Sequence, residues 1–539
     1  MENSTSTSTP ATRYLTAGPS GSSGGGNSRV TAPKPGRDWL ALALLMFPVL
    51  LVAVDNTALT FALPAIAGSL EPTGVQLLWI VDAYPLVLAG LLVAMGSFGD
   101  RIGRRRLLLI GSTGFAAVSA ATAFAPSAEW LIAGRAILGF FGAMLMPSTL
   151  SLIRNIFPDP NRRRLAIAVW AAGFSGGAAL GPIFGGWLVE HHWWGAILLV
   201  AVPIMLPILL LGPALVPESK DPRPGTVDGA SIALSLLTMV PLVYGIKSLA
   251  TEGLSPAPAA AMGFGLLMGY VFVRRQKQLA SPLLDMGLFG NRIFSTAITA
   301  NVLALFSFNG FILFLAQHLQ LLEGLRPTEA GIAMIPALVA TVLAGLLVVP
   351  LVRSIRPGFV VAGGLSLSAT GYLMVAFGDH SGGPAILLGA LLVLALGVGA
   401  AETISNDLIL GAVPPEKSGA AAAISETGYE IGSLLGTAVL GSVLTASYQR
   451  NLVLPDGILL EGVAAGDTGH GIAQARETLA GAMELAHSLP APLLADALTS
   501  AAKAAFESGV HVTASIGLVL MAGAAVFVAV VLRGVPKAT

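Results

Sequence analysis

The chain has 539 residues, 54% hydrophobic and only 11% charged, with no cysteine. That balance excludes a soluble globular fold, and the missing thiols exclude disulfides and thiolate metal sites. Acidic and basic residues number 29 each, so zero net charge gives no electrostatic case for nucleic acid as a partner.

Residues 1–36 are rich in Ser, Thr and Gly, with GSSGGG at 20–25, and lack an apolar core; a disordered cytoplasmic tail is expected rather than a signal peptide. Fourteen apolar stretches long enough to cross a bilayer follow, at about 39–62, 76–97, 106–125, 129–153, 165–189, 194–215, 227–249, 258–274, 293–318, 328–352, 358–378, 384–411, 418–448 and 511–532. The expected fold class is an all-α integral membrane protein of 14 transmembrane helices. It divides into a six-helix bundle over 37–220, an inserted two-helix linker over 221–280 and a second six-helix bundle over 281–539. Turn formers bracket the linker: Pro222, Pro224 and Gly225 before it, Ser281 and Pro282 after it. The segment 449–510 is too polar to span. Its part from Gly471 to Ser508 reads as a helical hairpin over the outer face or as a mobile loop, and helical spacing of its apolar positions favours the hairpin.

Basic residues set the orientation. With both termini inside, 23 of the 29 Lys and Arg fall in the tails and cytoplasmic loops. Five fall outside (Lys247, Arg326, Arg450, Arg476, Lys503), and Arg135 alone lies within a span. So lopsided a split places both termini in the cytoplasm.

Charges inside spans cost at least a few kcal/mol each, so each asks for a partner or a task. Asp55 lies past the middle of the first span, Asp82 in the outer third of the second, and Arg135 in the outer third of the fourth. The three share a depth. Asp55 and Arg135 read as a switchable proton-coupling pair or as a permanent ion pair that fixes packing, and position favours the first. Glu426 and Glu430 lie four apart on one face of the thirteenth span. No span offers a base other than Arg135, and one Arg cannot neutralise four acids; Asp82, Glu426 and Glu430 are expected to hold protons or await a cation. Glu402 and Asp407, beside Asn406 in the twelfth span, divide evenly between that role and the cytoplasmic surface. Aromatic side chains frame the acids: Trp79, Tyr84, Trp170, Phe174, Phe311 and Tyr429 among them. Aromatic faces attract organic cations.

In the fifth span, GFSGGAALGPIFGG carries Gly173, Gly177, Gly181 and Gly185 on one face, with Pro182 in the same run. A helix bare on one side is made for close approach and for bending, and suits two bundles that move against each other.

These residues resemble a known family. GSFGDRIGRRR, with Gly96, Asp100, Gly103, Arg104 and Arg105, resembles the signature loop of the major facilitator superfamily. RAILGFFGA from Arg135 resembles its fourth-helix motif, and the glycine run in the fifth span resembles the motif of its proton-driven exporters. VDNTALTFALPAI around Asp55 is similar to the first-helix signature of the fourteen-helix drug:proton antiporters. WIVDAYPLVLAG and SETGYEIG are similar to segments of the QacA/SmvA type of multidrug exporter, which also has a long external loop before its last helix. The resemblance implies the major facilitator fold, proton coupling at Asp55, Arg135 and Glu430, and substrate binding at Asp82, Glu426, Trp79, Tyr84, Tyr429 and Phe311. It implies a conformational gate at Gly96, Asp100, Gly103, Arg104 and Arg105, and an antiporter seam at Gly173, Gly177, Gly181, Pro182 and Gly185. The expected activity is export of lipophilic, cationic compounds in exchange for protons across a bacterial cytoplasmic membrane, by a lipid-embedded monomer with no cofactor and no metal. The alternative is a dedicated exporter of one endogenous metabolite, antibiotic or lipid. No nucleophile–base constellation and no GxxxxGK[ST] phosphate loop argues for an enzyme, and the buried acids speak against a passive channel.

Overall fold

The computed structural model describes residues 35–220, 228–252, 255–279, 282–378, 383–414, 418–455, 458 and 470–536. Of the expected tail 1–36, residues 1–34 lie outside the described residues and Pro35 and Gly36 instead begin a helix; the turn formers Pro222, Pro224 and Gly225, and Ser281 also lie outside them. Helices stand at all fourteen expected positions: α1 (Pro35–Leu70), α2 (Gly74–Ile102), α3 (Arg104–Thr122), α4 (Ala128–Ile156), α5 (Pro160–His191), α6 (Ala196–Leu215), α7 (Gly229–Glu252), α8 (Pro256–Gln278), α9 (Arg292–Gln317), α10 (Pro327–Leu351), α11 (Pro357–Phe377), α12 (Ala385–Gly411), α13 (Ser418–Asn451) and, last, a helix over Pro492–Val531. Two short helices precede that last one. They are α14 (His470–Glu477) and α15 (Leu479–Ser488), so the last is α16. Among the described residues twelve helices are long and apolar enough to cross a membrane. The third and fifth, α3 and α5, are not among the twelve, so the count of fourteen spans remains an expectation.

Local chemistry punctuates these helices. Glu71 turns the chain after α1 with a φ of 48°, and Thr73 then caps α2, accepting from the Gln76 N–H while the Gln76 side chain accepts from the Thr73 N–H. Asp159 accepts from the Arg162 N–H and Pro160 opens α5. Between α2 and α3 a single residue, Gly103, takes a φ of 112°, which a side chain would resist. Thr478 caps α15 by accepting from the Gly481 N–H, which separates it from α14.

Helices α1–α6 share one apolar core and α9–α13 with α16 share another. The two exchange anchors: Leu313 of α9 is buried in the first core and Phe61 of α1 in the second. Helices α7 and α8 pack chiefly on each other, with α7 also against α2 and α13. Phe264, Leu266, Leu267 and Tyr270 of α8 and Leu346 and Leu347 of α10 face outward, as lipid-facing side chains do.

The bundle has a terminal face, carrying the start of α1 and the α2–α3 turn, and a hairpin face, carrying α14 and α15. The halves touch at the hairpin face, through α5 against α10 and α2 against α13. There Arg326 Nη1 reaches Glu190 Oε1 at 2.8 Å. Glu477, at the end of α14, bridges the halves: its Oε2 accepts from the Gly74 N–H of α2 at 3.1 Å and from Gln449 Nε2 of α13 at 3.0 Å. Gln474 Nε2 donates to the Glu71 carbonyl at 2.6 Å. Nearer the terminal face α2 and α13 part around an apolar cleft lined by Ala94, Met239, Phe272, Leu284, Thr427 and Ile431.

Candidate functional site

Helices α1 and α4 bring Asp55 and Arg135 together deep in the first half. Arg135 Nη1 donates to Asp55 Oδ2 at 2.6 Å and Nε donates to the Ile80 carbonyl at 3.3 Å. The guanidinium lies 4.6 Å from the centre of the Tyr84 ring. Asp55 is 5% exposed, Arg135 2% and Tyr84 0%. Glycines on α4 admit this stack, since a Cβ at Gly142 would stand 3.0 Å from the Tyr84 hydroxyl. Tyr84, expected at the substrate, is thus placed as the platform of Arg135.

Asp82 departs from expectation. Sequence reasoning leaves it without a base; the structure supplies one. Lys247 Nζ of α7 lies 2.9 Å from Asp82 Oδ2, and both side chains are fully buried. Thr437 of α13 donates to Asp82 Oδ1. The same ammonium sits 4.2 Å from the centre of the Trp79 ring. Asp82 and Trp79 are therefore engaged by the protein itself. Lys247, assigned to the outer surface from sequence, lies within the apolar stretch Gly229–Leu249, two residues from its end. A Lys there ordinarily snorkels to water; a lysine inside a run of apolar residues was the available signal. Removing it from the external tally leaves the basic bias intact. A small polar cavity, lined by Asn56, Thr60, Asp82, Arg135, Asn309 and Thr437 among others, lies between the two ion pairs.

The second half holds the surplus acids. Glu430 of α13 is 2% exposed, while Glu426 of α13 and Glu402 of α12 are half-buried. Glu426 lies within electrostatic reach of both other glutamates, and Glu430 within reach of Tyr84 across the halves. Among the described residues no hydrogen bond or ion pair reaches any of the three carboxyls. Between Glu426 and Glu430 in sequence, Tyr429 packs edge-on against Phe174 of α5 at 5.8 Å, and Phe174 stacks on Trp170 at 6.4 Å. This aromatic row crosses from one half to the other beside the acids. Alongside, Ser425 Oγ donates to Asn406 Oδ1 at 2.7 Å. Glu402 joins the buried group and Asp407 is exposed, which settles where each lies. Phe311 is not brought here: it is fully buried in the second core, 4.6 Å from Phe314 and 5.5 Å from Tyr372, because that face of α9 turns inward.

The residues expected to form a gate gather at the α2–α3 turn. Arg104 pairs with Asp100 at 2.7 Å. The Arg105 N–H donates to Glu218 Oε1 at 3.0 Å, and its guanidinium donates to the carbonyls of Pro213 and Val216. Gly96 packs toward Pro147, and a Cβ at Gly103 would meet the Glu218 carboxylate at 2.7 Å. All these partners belong to the first half or the irregular segment leaving it, and Glu218 is a partner that sequence reasoning missed.

The glycine seam needs a correction. Gly173, Gly177, Gly181 and Gly185 face α1, against Met46, Ala53, Thr57 and Ala58, so they lie within one half and not between the two halves. The junction is made by their neighbours. A Cβ at Gly186 would strike Pro327 and Thr328 of α10, and one at Gly331 of α10 would strike Pro182 and Ile183.

Among the described residues no group of three or more His, Asp and Glu side chains could hold a metal ion.

A family model described as Major Facilitator Superfamily matches residues 45–437. The chain is 52% identical over 503 residues to the multidrug efflux pump LfrA of Mycolicibacterium smegmatis, covering 93% of this chain and 98% of that one. It is 37% identical over 474 residues to the methyl viologen resistance protein SmvA of Salmonella typhimurium, covering 87% and 93%. Among solved structures, a bacterial homologue of the human lysosomal transporter Spinster shares the fold, with a TM-score of 0.64 over 94% of this chain and 100% of that chain at 18% identity.

Proposed function

Because the chain belongs to the Major Facilitator Superfamily, we propose that it is a proton-coupled antiporter exporting lipophilic, cationic compounds such as quaternary ammonium antiseptics and dyes. It is a transporter and not an enzyme. One observation carries the finer reading: Glu402, Glu426 and Glu430 are buried or half-buried with no cation paired to them among the described residues. A buried carboxyl without a cation must hold a proton or receive a cation. Protons and cations are the two species that a drug:proton exchanger handles, and the row Tyr429–Phe174–Trp170 offers ring faces beside those acids.

In this reading Asp55 and Arg135 form the coupling pair and Glu430 the second proton carrier, while Glu426 meets the charge of the substrate. The closed hairpin face is external and the termini are cytoplasmic, so the state described here faces inward. Lipophilic compounds enter from the cytoplasm or through the apolar cleft between α2 and α13. Entering protons drive the exchange, each charge worth about 2.3 kcal/mol per 100 mV of membrane potential. The efflux and resistance functions named for the relatives, one of them for methyl viologen, an organic dication, support this class of substrate. The test is uptake of a fluorescent organic cation into inverted vesicles. Accumulation driven by an imposed pH gradient and abolished by a protonophore is expected. Accumulation indifferent to that gradient refutes the coupling, and activity on one compound alone favours a dedicated exporter.

A further inference from the structure

We infer that Lys247 is a tethered stand-in for the transported cation, and that Asp82, Trp79 and Thr437 form an organic-cation site exchanging its ammonium for substrate. The inference rests on the reading that this protein moves cations.

The Lys247 ammonium lies 2.9 Å from Asp82 Oδ2 and 4.2 Å from the centre of the Trp79 ring. Thr437 holds the other carboxylate oxygen. A buried carboxylate fixed on one oxygen by a hydroxyl, with an indole face beside the cation held by the other, is what a desolvated organic ammonium needs. The pair is not walled in on every side, because the polar cavity reaching Arg135 is lined by Asp82 and Thr437. The three contributing helices come from the first half, the linker pair and the second half, so occupancy of this carboxylate touches every moving part.

The geometry also provides for exchange. Helix α7 has its own hold on α2 elsewhere: Ser235 donates to the Gly90 carbonyl at 3.0 Å, and Leu236 packs where a Cβ at Gly90 would stand. The long side chain of Lys247 can therefore leave Asp82 without α7 leaving α2. Exchange keeps the carboxylate neutralised throughout, one cation entering as the other departs, and the released ammonium, two residues from the end of its apolar stretch, swings to water, so neither charge is left bare and buried. In an empty transporter the lysine keeps the site paired.

The experiment measures binding of tetraphenylphosphonium, a monovalent lipophilic cation, to the full-length protein in lipid nanodiscs by titration calorimetry. Lys247→Met removes the competitor and keeps the chain length. It should bind the probe about tenfold more tightly than wild type. Lys247→Arg strengthens the competitor, since a guanidinium grips a carboxylate through two bonds and stacks on an indole; it should bind the probe about tenfold more weakly. Asp82→Asn with Lys247→Met should lose the gain. Equal affinity in wild type and Lys247→Met, or weaker binding in Lys247→Met, overturns the inference, as does absence of binding in both. Should Lys247→Met not yield monodisperse protein, Lys247→Arg decides: unchanged affinity there overturns the inference as well. Transport separates this outcome from the broader reading. Wild-type protein that binds the probe but moves it without regard to a pH gradient sinks proton coupling and leaves the exchange site standing.

Discussion

Gly186→Ala places one methyl group where the two halves meet. Its Cβ would stand 2.6 Å from the Pro327 carbonyl carbon and 2.8 Å from the Thr328 nitrogen, closer still to the Pro327 oxygen. These are backbone atoms at the start of α10, and no rotamer change can move them. Relief to an ordinary contact of about 3.5 Å requires α5 and α10 to separate by about 1 Å. Overpacking of this kind costs about 1–3 kcal/mol. The strain exists only while the hairpin face is closed, so it becomes a shift of about 5- to 150-fold toward the state open on that face. Gly177→Ala is the control: its Cβ would stand 2.9 Å from Ala53 and 3.1 Å from the Leu50 carbonyl, inside the first half, where strain favours neither state. The absence of cysteine makes the assay direct. Spin labels on cysteines introduced at His192 and Leu325 would report the distance between the hairpin-face ends of α5 and α10. Gly186→Ala should move population to longer distances, and Gly177→Ala should lower thermal stability with the distance unchanged. An unaltered distance distribution in folded Gly186→Ala would refute the claim that this contact keeps the face shut.

Asp55→Asn should abolish gradient-driven transport while the protein still inserts; undiminished transport by well-expressed variant removes Asp55 from the mechanism. Because it also leaves Arg135 buried beside a neutral group, a stability loss of about 3–5 kcal/mol is expected in thermal unfolding. Glu430→Gln should impair efflux of monovalent, divalent and neutral dyes alike, whereas Glu426→Gln should weaken the cationic dyes selectively; equal losses throughout would mean that the acids titrate as one group. Gly181→Leu, which would drive a side chain into Thr57 and Ala58 of α1, should destabilise the first half, seen as lost expression or lowered melting temperature. At the mouth of α7, Arg275 holds Asp228 through two bonds of 2.8 and 2.9 Å and keeps its carboxyl well below the usual carboxylate range. A depressed folded value means the tie is fully present above the ordinary pKa of about 3.9 and fades only as pH falls below it. The stability deficit of Arg275→Met should thus be small and constant from about pH 5 upward, and shrink in stronger acid.

Charged residues in apolar stretches were the most legible part of this site. Each is rare and costly, so Asp55 and Arg135 at a matched depth announced their pairing without any knowledge of the packing. Lys247 hid because two positions separate it from the end of its stretch, where a lysine ordinarily escapes to water. Only the placement of α7 against α2 and α13 decides otherwise, and placement of neighbouring helices is not written in either helix alone. Phe311 failed for a related reason: α9 is buried over most of its surface, so its pattern does not say which ring faces the core and which a cavity. The glycine run disclosed a bare helix face by its four-residue spacing. Which helix would fill that face, α1 and not α10, depends on the fold. The two acids of α12 were separable only once the helix's rotation was known, with Glu402 turned inward and Asp407 outward.

The last helix has 40 residues, so it runs about 60 Å, roughly twice the thickness of a bilayer's hydrocarbon core. Its projecting end carries α15, and α14 clasps α2 and α13 together through Glu477. In the exchange cycle proposed above the halves part on that face, so a clasp holding both must release once per turnover. That makes the hairpin the pump's exposed handle. With the hairpin face external, as proposed above, a macromolecule that grips α14 and α15 and forbids release would arrest transport from outside the cell. Such an inhibitor would never need to cross the membrane, and never become cargo for the pump that it blocks.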